Sequence, residues 1–187
     1  MFRERLPGPD SDARIGYCAA KKLAYVGYKN HLLCSVDDMS ILNFIVTPAN
    51  RHDSTLFIPL FMNMSSSSIF PTIKGVYGDN AYDTELNRIH LEERGIRALF
   101  HSKDETGKSP KKPQSAKRKS KKRSKIEVIF GISQENYGFG NVYVRGLPNV
   151  VIDTSIIFIG WNLGILYSYF IDRFEDRISL KKLLYKN

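Results

Sequence analysis

Two carboxylates, Asp79 and Glu127, occupy positions that a metal-dependent phosphoryl-transfer site would need. Asp79 directly follows an apolar run at residues 73–78, which is typical of a strand that ends at the mouth of a sheet. Glu127 lies early in a helix-like stretch, residues 123–131, that follows a lysine-rich segment. Carboxylate oxygens are hard ligands that suit Mg²⁺ or Mn²⁺, and lysine-rich segments attract phosphates. The combination indicates magnesium-dependent chemistry on nucleic acid.

The positive charge of the chain is concentrated in one segment. The net charge is +9, and residues 101–125 alone hold eleven Lys or Arg against two acids. Such a run binds phosphate without reading sequence, or else forms a solvated loop with no partner. We favour DNA contact, because the segment lies between the two candidate carboxylates. The bases predicted to touch DNA are Lys117, Arg118, Lys119, Lys121, Lys122, Arg123 and Lys125.

Length and composition are those of one soluble globular domain. The 187 residues are 42% hydrophobic and 25% charged, which is ordinary for such a protein. The two cysteines, Cys18 and Cys34, exclude a disulfide framework and a four-cysteine zinc site. We therefore expect a cytoplasmic protein.

One uncharged run, residues 154–171, raises the alternative of a membrane-associated protein. A membrane span needs about 20 predominantly apolar residues, and polar residues recur inside this run. Gly160 and Gly164 have the spacing that allows close helix packing in either setting. We favour a buried core helix and predict no membrane contact.

Hydrophobic periodicity predicts a mixed α/β order of elements. The predicted strands are residues 25–36, 41–46, 73–77 and 96–100. Asp37 and Asp38 supply the turn of a hairpin between the first two strands. Asp53 or Ser54 is expected to cap a short helix after the hairpin, and a second helix should end near Gly95.

The predicted organisation has two parts. Residues 1–22 are expected to be an extended N-terminal segment, because prolines and glycine discourage regular structure there. Residues 23–187 then form the domain, with a basic loop at 101–125 and a helix that resumes near Ser120.

Four further side chains are candidates for supporting roles. Lys29 and His31 alternate with their neighbours on a predicted strand, so they share one face of the sheet. His52 is expected either to touch DNA or to pack. Asp53 is expected to act as a helix cap rather than as a ligand.

Several blocks of this chain resemble the DDE transposases of prokaryotic insertion sequences. The matching blocks, in family order, are residues 27–31 (GYKNH), 46–54 (VTPANRHDS), 78–83 (GDNAYD) and 123–131, followed by 145–147 and 162–163. Together they cover roughly residues 10–166, and several blocks in order are far more specific than one.

The resemblance implies an RNase H-like fold, a mixed sheet flanked by helices. It also implies that Asp79 and Glu127 are two of the three carboxylates that hold two Mg²⁺ (or Mn²⁺) ions for DNA strand cleavage and transfer. The implied partners are the ends of an insertion sequence and target DNA, and enzymes of this type usually act as homodimers.

The family's first catalytic aspartate lies on a strand that precedes the block at 27–31. Residues 10–14 resemble a linking segment instead, so we expect the first strand and its aspartate to be missing. The chain then corresponds to the C-terminal part of a transposase and is predicted to be inactive alone. The alternatives are a catalytically inactive DNA-binding remnant and a membrane-associated basic protein.

Overall fold

The computed structural model describes residues 10–18, 22–64, 67, 69–100 and 114–176, and the side chains of 114–121 and 123 are not among the parts it describes. The strands are β1 (Arg14–Cys18), β2 (Leu23–Cys34), β3 (Ile41–Pro48), β4 (Gly75–Gly78) and β5 (Arg97–Phe100). The helices are α1 (Phe57–Met62), α2 (Glu85–Glu92), α3 (Gln114–Tyr137) and α4 (Leu147–Phe170). Short 3₁₀ turns lie at Asp53–Leu56, Phe70–Thr72, Asn80–Tyr82 and Phe174–Asp176.

Strands β1, β2 and β3 form an antiparallel sheet with long β2 in the middle. The N-terminal half of β2 pairs with β1, and its C-terminal half pairs with β3 from Tyr28 opposite Pro48 to Cys34 opposite Ile41. The predicted hairpin is confirmed, since β2 and β3 are joined through a turn that contains Asp37 and Asp38.

The N-terminal prediction needs one correction. Strand β1 belongs to the sheet, so the proposed boundary at residue 22 falls inside a hairpin and does not separate two parts. Prolines at 7 and 9 lie before β1 and leave its backbone donors unaffected.

Strands β4 and β5 form a separate two-stranded parallel sheet, with α2 as the crossover between them. Thr84 caps α2 by accepting a hydrogen bond from the Asn87 N–H at 3.2 Å. Gly95 follows α2 with a φ of +66°, a conformation that glycine adopts readily, so the predicted helix end is confirmed. Among the described residues the strands therefore form two sheets, where one mixed sheet was expected.

Two hydrophobic clusters form the core. The first joins β2 and β3 to the two long helices, and its buried members are Leu32, Met39, Ile41, Ile129, Phe139, Phe158, Trp161 and Ile165. The second holds β4, β5, α1 and α2 together, and its buried members are Phe57, Phe61, Val76, Leu91, Ile96 and Phe100. Neighbouring residues Leu32 and Leu33 contact different clusters, since side chains alternate across a strand.

Helix α3 starts earlier than the sequence predicted. It begins at Gln114 rather than near Ser120, so the second half of the expected basic loop is helical, while residues 101–113 lie outside the described residues. Lysine and arginine are good helix formers, and no proline occurs between Pro113 and the end of α3 at Tyr137.

Helix α4 is buried on one face only, which corrects the expectation of a buried core helix. Its inward face carries Phe158, Trp161 and Ile165, while most of its other apolar residues are exposed. The helix is long and apolar enough to cross a membrane by length and composition, which is weak evidence by itself. Asn162 ties it to the sheet by accepting from the Ile41 N–H and donating to the Ile41 carbonyl, both at 2.8 Å.

The two glycines of α4 serve helix packing, as predicted. A Cβ at Gly160 would lie 3.4 Å from the Tyr137 ring, and one at Gly164 would lie 3.8 Å from the Tyr137 hydroxyl. The last residue of α3 therefore packs over both glycines, where larger side chains would crowd the ring.

Candidate active site at the end of strand β4

Asp79 is the first residue after β4, as the sequence predicted for a carboxylate at the mouth of a sheet. Its side chain is exposed, and its Oδ1 accepts a hydrogen bond from the Asn80 N–H at 2.7 Å. This contact caps the 3₁₀ turn at Asn80–Tyr82. Asp79 therefore caps the turn while its side chain stays exposed to solvent.

Lys29 and Asp53 form an ion pair beside this turn. The Lys29 Nζ lies 3.0 Å from Asp53 Oδ1 and also donates to the Arg51 carbonyl at 3.1 Å. The prediction that Asp53 caps a helix is wrong, because His52 occupies the cap position and makes no side-chain cap bond. The Asp53 carboxylate is engaged by a lysine from β2 instead, a long-range contact that local spacing does not reveal.

His31 lies on the same face of the sheet as Lys29, as predicted, and its side chain is buried. Its Nδ1 lies 3.3 Å from the Tyr82 hydroxyl and its Nε2 lies 3.3 Å from Thr47 Oγ1. Burial, which disfavours the charged imidazolium, lowers the pKa of His31 below its ordinary value of 6.5. A neutral His31 thus ties β2 and β3 to the turn that follows Asp79.

Tyr82 lies near both Asp53 of the ion pair and Asp79. Burial raises the pKa of Tyr82 to about 12, and the negative charges of Asp53 and Asp79 act in the same direction. Both carboxylates are therefore close enough to Tyr82 for their charges to affect its pKa. The signal that could have identified it is its place in the block at 78–83.

Helix α3 packs against β4, the strand that presents Asp79. The Lys122 Nζ lies 5.0 Å from the centre of the Tyr77 ring, a cation–π contact two residues before Asp79. Lys125 donates to the Val36 carbonyl in the β2–β3 turn. Two of the seven predicted DNA contacts therefore also hold α3 in place, and the other five side chains are not described.

Glu127 lies on α3, and its side chain is exposed. Ile129, two residues further on, is fully buried in the first core cluster. Two residues correspond to about 200° around a helix, so Glu127 is on the side of α3 that faces away from this cluster. Its predicted role as a ligand stays a prediction.

His52 is exposed, and its Nδ1 lies 2.9 Å from Ser54 Oγ. This local contact orders the loop before α1 and leaves contact with DNA as a prediction.

A link between the N-terminal segment and α4 was missed by the sequence analysis. Asp10 Oδ2 accepts from the Tyr28 hydroxyl at 2.8 Å and from the Gly146 N–H at 3.3 Å, and Asp12 Oδ2 accepts from the Leu147 N–H at 2.8 Å. The Tyr28 hydrogen bond is the largest cause that lowers the pKa of Asp10. Both carboxylates thus bind backbone N–H groups at the N-terminus of α4.

The candidate ligands suit a hard divalent cation only in part. Asp79 and Glu127 carry the carboxylate oxygens that Mg²⁺ prefers. Within residues 10–18, 22–64, 67, 69–100 and 114–176, however, no three His, Cys, Asp or Glu side chains come together as a metal site. The described residues therefore contain no complete metal site.

Comparisons with known proteins agree on the class of this chain. Residues 5–163 match the family model described as a transposase DDE domain. The transposase for insertion sequence element IS1106 of Neisseria meningitidis serogroup B is 26% identical over 146 residues, which make up 77% of this chain and 48% of that relative. The chain thus spans about half the length of the curated relative that it matches. No solved structure matches it. Since the family model covers most of its length, the chain belongs to the transposase DDE domain family.

Proposed function

We propose that this chain takes part in DNA transposition as a portion of an insertion-sequence transposase that acts in the cytoplasm. Its substrates would be the ends of the element and target DNA. In this proposal α3 holds the phosphate backbone, and Asp79 and Glu127 contribute two of the carboxylates that bind Mg²⁺ or Mn²⁺. The chain alone is expected to lack cleavage activity.

The contact between α3 and β4 carries this proposal. Lys122 on α3 lies against Tyr77, two residues before Asp79, so the basic helix borders the end of β4. Phosphates bound along the helix would therefore run past the Asp79 carboxylate. Lysine and arginine give such binding its affinity without sequence readout.

Asp79 and Glu127 are the residues that would hold the metal. When bound, Mg²⁺ would neutralise charge at phosphorus and lower the barrier for the displacement of an oxygen. The chain's own contribution is to fix the Asp79 turn, through the contacts of Tyr82 with His31 and of Lys29 with Asp53. The approach of Glu127 to Asp79 is part of the proposal.

The free edge of β2 supports an RNase H-like sheet that takes a further strand. Strand β3 covers one edge of β2 along residues 28–34, which leaves the other edge to any further strand. Because β1 ends opposite Gly27, residues 28–34 have no strand on that edge within the described part of the chain. Asn30 Oδ1 in this stretch is buried and has no hydrogen-bond partner among the described residues. We infer that a strand carrying the remaining carboxylate pairs here.

Binding to a short DNA duplex at several KCl concentrations tests the nucleic-acid part of the proposal. The informative variant replaces Lys117, Arg118, Lys119, Lys121 and Arg123 by glutamine and keeps Lys122 and Lys125, which support the fold. Each lost phosphate contact removes about 0.9 from the slope of log K against log salt, so we expect weaker binding and a slope reduced by at most about 4.5.

A matched control replaces five exposed bases elsewhere, namely Arg14, Lys22, Lys74, Arg94 and Arg97. The control should retain most of the affinity. Equal losses in the two variants, or no binding by the parent chain at low salt, would refute the role of α3.

A DNA-binding remnant without catalysis is the second candidate, and the incomplete ligand set favours it. The two candidates differ in their affinity for Mn²⁺. A remnant would bind DNA but would show no Mn²⁺ site that depends on Asp79.

A further inference from the structure

A loop at residues 50–54 lies beside the turn that follows Asp79. The side chain of Asn87, which is 1% exposed, joins the two segments. Its Nδ2 donates to the Tyr82 carbonyl at 2.9 Å and to the Ser54 carbonyl at 3.4 Å. The loop is therefore fixed next to the turn that presents the Asp79 carboxylate.

Strand β2 holds the same loop at a second point. Lys29 on β2 donates to the Arg51 carbonyl at 3.1 Å and to Asp53 Oδ1 at 3.0 Å. Asp53 is the only acidic residue of the loop, and the positive charge of Lys29 offsets its negative charge. The remaining charge of the loop is therefore that of Arg51.

The side chains of Arg51 and His52 are exposed. Among the described residues the Arg51 guanidinium has no hydrogen bond or ion pair. Its five N–H donors form a fork that matches the oxygens of a phosphate. The contact of His52 Nδ1 with Ser54 Oγ at 2.9 Å orients the imidazole ring. When Nδ1 accepts from this hydroxyl, the proton lies on Nε2, which is then a further donor.

This loop and α3 approach β4 from opposite faces. The side chains of Val76 and Tyr77 point to opposite faces of the strand, since successive residues alternate. Tyr77 contacts Lys122 on α3, whereas Val76 packs in the second core cluster with Phe57, the first residue of α1. The loop leads directly into α1 through a 3₁₀ turn. Asp79, at the end of β4, therefore has a basic element on each face of its strand.

We propose that Arg51 and His52 form a second phosphate-binding site for DNA, on the side of Asp79 that faces away from α3. This inference rests on the function proposed above and adds a contact that the basic helix does not supply. Arg51 provides a charged fork of donors, and His52 provides one donor through Nε2. Both bind phosphate oxygens and read no base, so the site positions the DNA backbone beside Asp79 whatever its sequence.

Duplex binding by the full chain at several KCl concentrations tests this site with the variant Arg51→Gln. Loss of one phosphate contact should lower the slope of log K against log salt by about 0.9, which corresponds to roughly eightfold weaker binding at 0.1 M salt. Arg51→Lys keeps the charge and should restore most of the slope. His52→Ala at pH 8 removes a neutral donor, so it should weaken binding roughly threefold or more with the slope unchanged.

Arg97→Gln is the matched control, because it removes the same charge from the far end of the same small sheet. Arg97 is exposed and pairs with Gly75 at the start of β4, whereas Asp79 follows Gly78 at its end. This variant should bind DNA with the affinity and the slope of the parent chain. Circular dichroism should be equal in all variants, since each substituted side chain is exposed.

An unchanged slope in Arg51→Gln, or an equal reduction in Arg97→Gln, overturns the inference. The variant of α3 that replaces five bases by glutamine separates this result from the function proposed above. If the α3 variant loses slope and Arg51→Gln does not, the basic helix binds DNA and the second site is wrong. If the parent chain does not bind the duplex at low salt, both proposals are wrong.

Discussion

The end of β4 and the outer side of α3 each carry one candidate carboxylate, and the protein fixes them very differently. Asp79 follows a strand and caps the turn at Asn80–Tyr82, and the last residue of this turn, Tyr82, contacts His31 on β2. Glu127 lies on a long helix that turns its buried side, with Ile129, toward the first core cluster. A turn that is held by contacts with two strands has one orientation. The direction of a helical side chain depends instead on which face the helix buries, and everything that packs against the helix determines that face.

The largest effect on stability is expected from a substitution in the second core cluster, which packs against the strand that precedes Asp79. Phe100 is 2% exposed, and its ring lies edge-on to Phe57 with the centres 5.3 Å apart. Phe100→Ala should lower the free energy of unfolding by about 3–5 kcal/mol, measured by urea denaturation. Hydrogen exchange should accelerate in β4, β5 and α2 more than in α3.

Phe139→Ala in the first core cluster is the matched variant, since Phe139 packs between Phe130 and Phe158. It should accelerate exchange in α3 and α4 more than in β4. If hydrogen exchange accelerated equally in β4 and in α3 in both variants, the two core clusters would not stabilise their regions independently.

A smaller effect is expected from pH. The pKa of His31 is lowered in the folded protein, so the unfolded chain binds more protons as the pH falls below 6.5. Stability contributed by neutral His31 should therefore be present at neutral pH and decrease as the solution becomes acidic. His31→Gln should flatten the dependence of the free energy of unfolding on pH over this range.

His90→Gln serves as the comparison, because burial also lowers the pKa of His90, which lies on α2. The double variant should show the flattest profile. A profile that is as steep in both variants as in the parent chain would contradict the buried, neutral assignment of His31.

The smallest effect is expected from the ion pair beside Asp79. The Lys29 and Asp53 side chains are 27% and 38% exposed, so water screens their attraction. Lys29→Met should change the free energy of unfolding by less than about 1 kcal/mol, with Glu92→Gln on the exposed side of α2 as the reference substitution. A loss of several kcal/mol would show that the pair is a major support of the fold.

The sequence could predict the features that depend on local pattern. Alternation located the hairpin of β2 and β3, and Gly95 correctly marked the end of α2. The predicted position of Asp79 after a strand is also confirmed, because it too depends on a local apolar run.

Features that depend on distant partners could not be predicted in this way. Asp53 has the residue type and position of a helix cap, but a lysine 24 residues away engages its carboxylate. The apolar composition of α4 suggested burial, yet only one face meets the sheet. The side of α3 on which Glu127 lies follows from the packing of Ile129, which periodicity within this charged helix left undetermined.

Binding of Mn²⁺ to a set of single and double variants tests most directly the claim that Asp79 and Glu127 hold one ion. The set comprises the parent chain, Asp79→Asn, Glu127→Gln and the double variant, with Asp37→Asn as a control from an exposed turn. If both carboxylates hold one ion, each single variant should weaken binding roughly tenfold or more, and the double variant should bind little worse than the weaker single one. Unchanged binding in either single variant, or losses that add in full, would show that Asp79 and Glu127 do not share an ion.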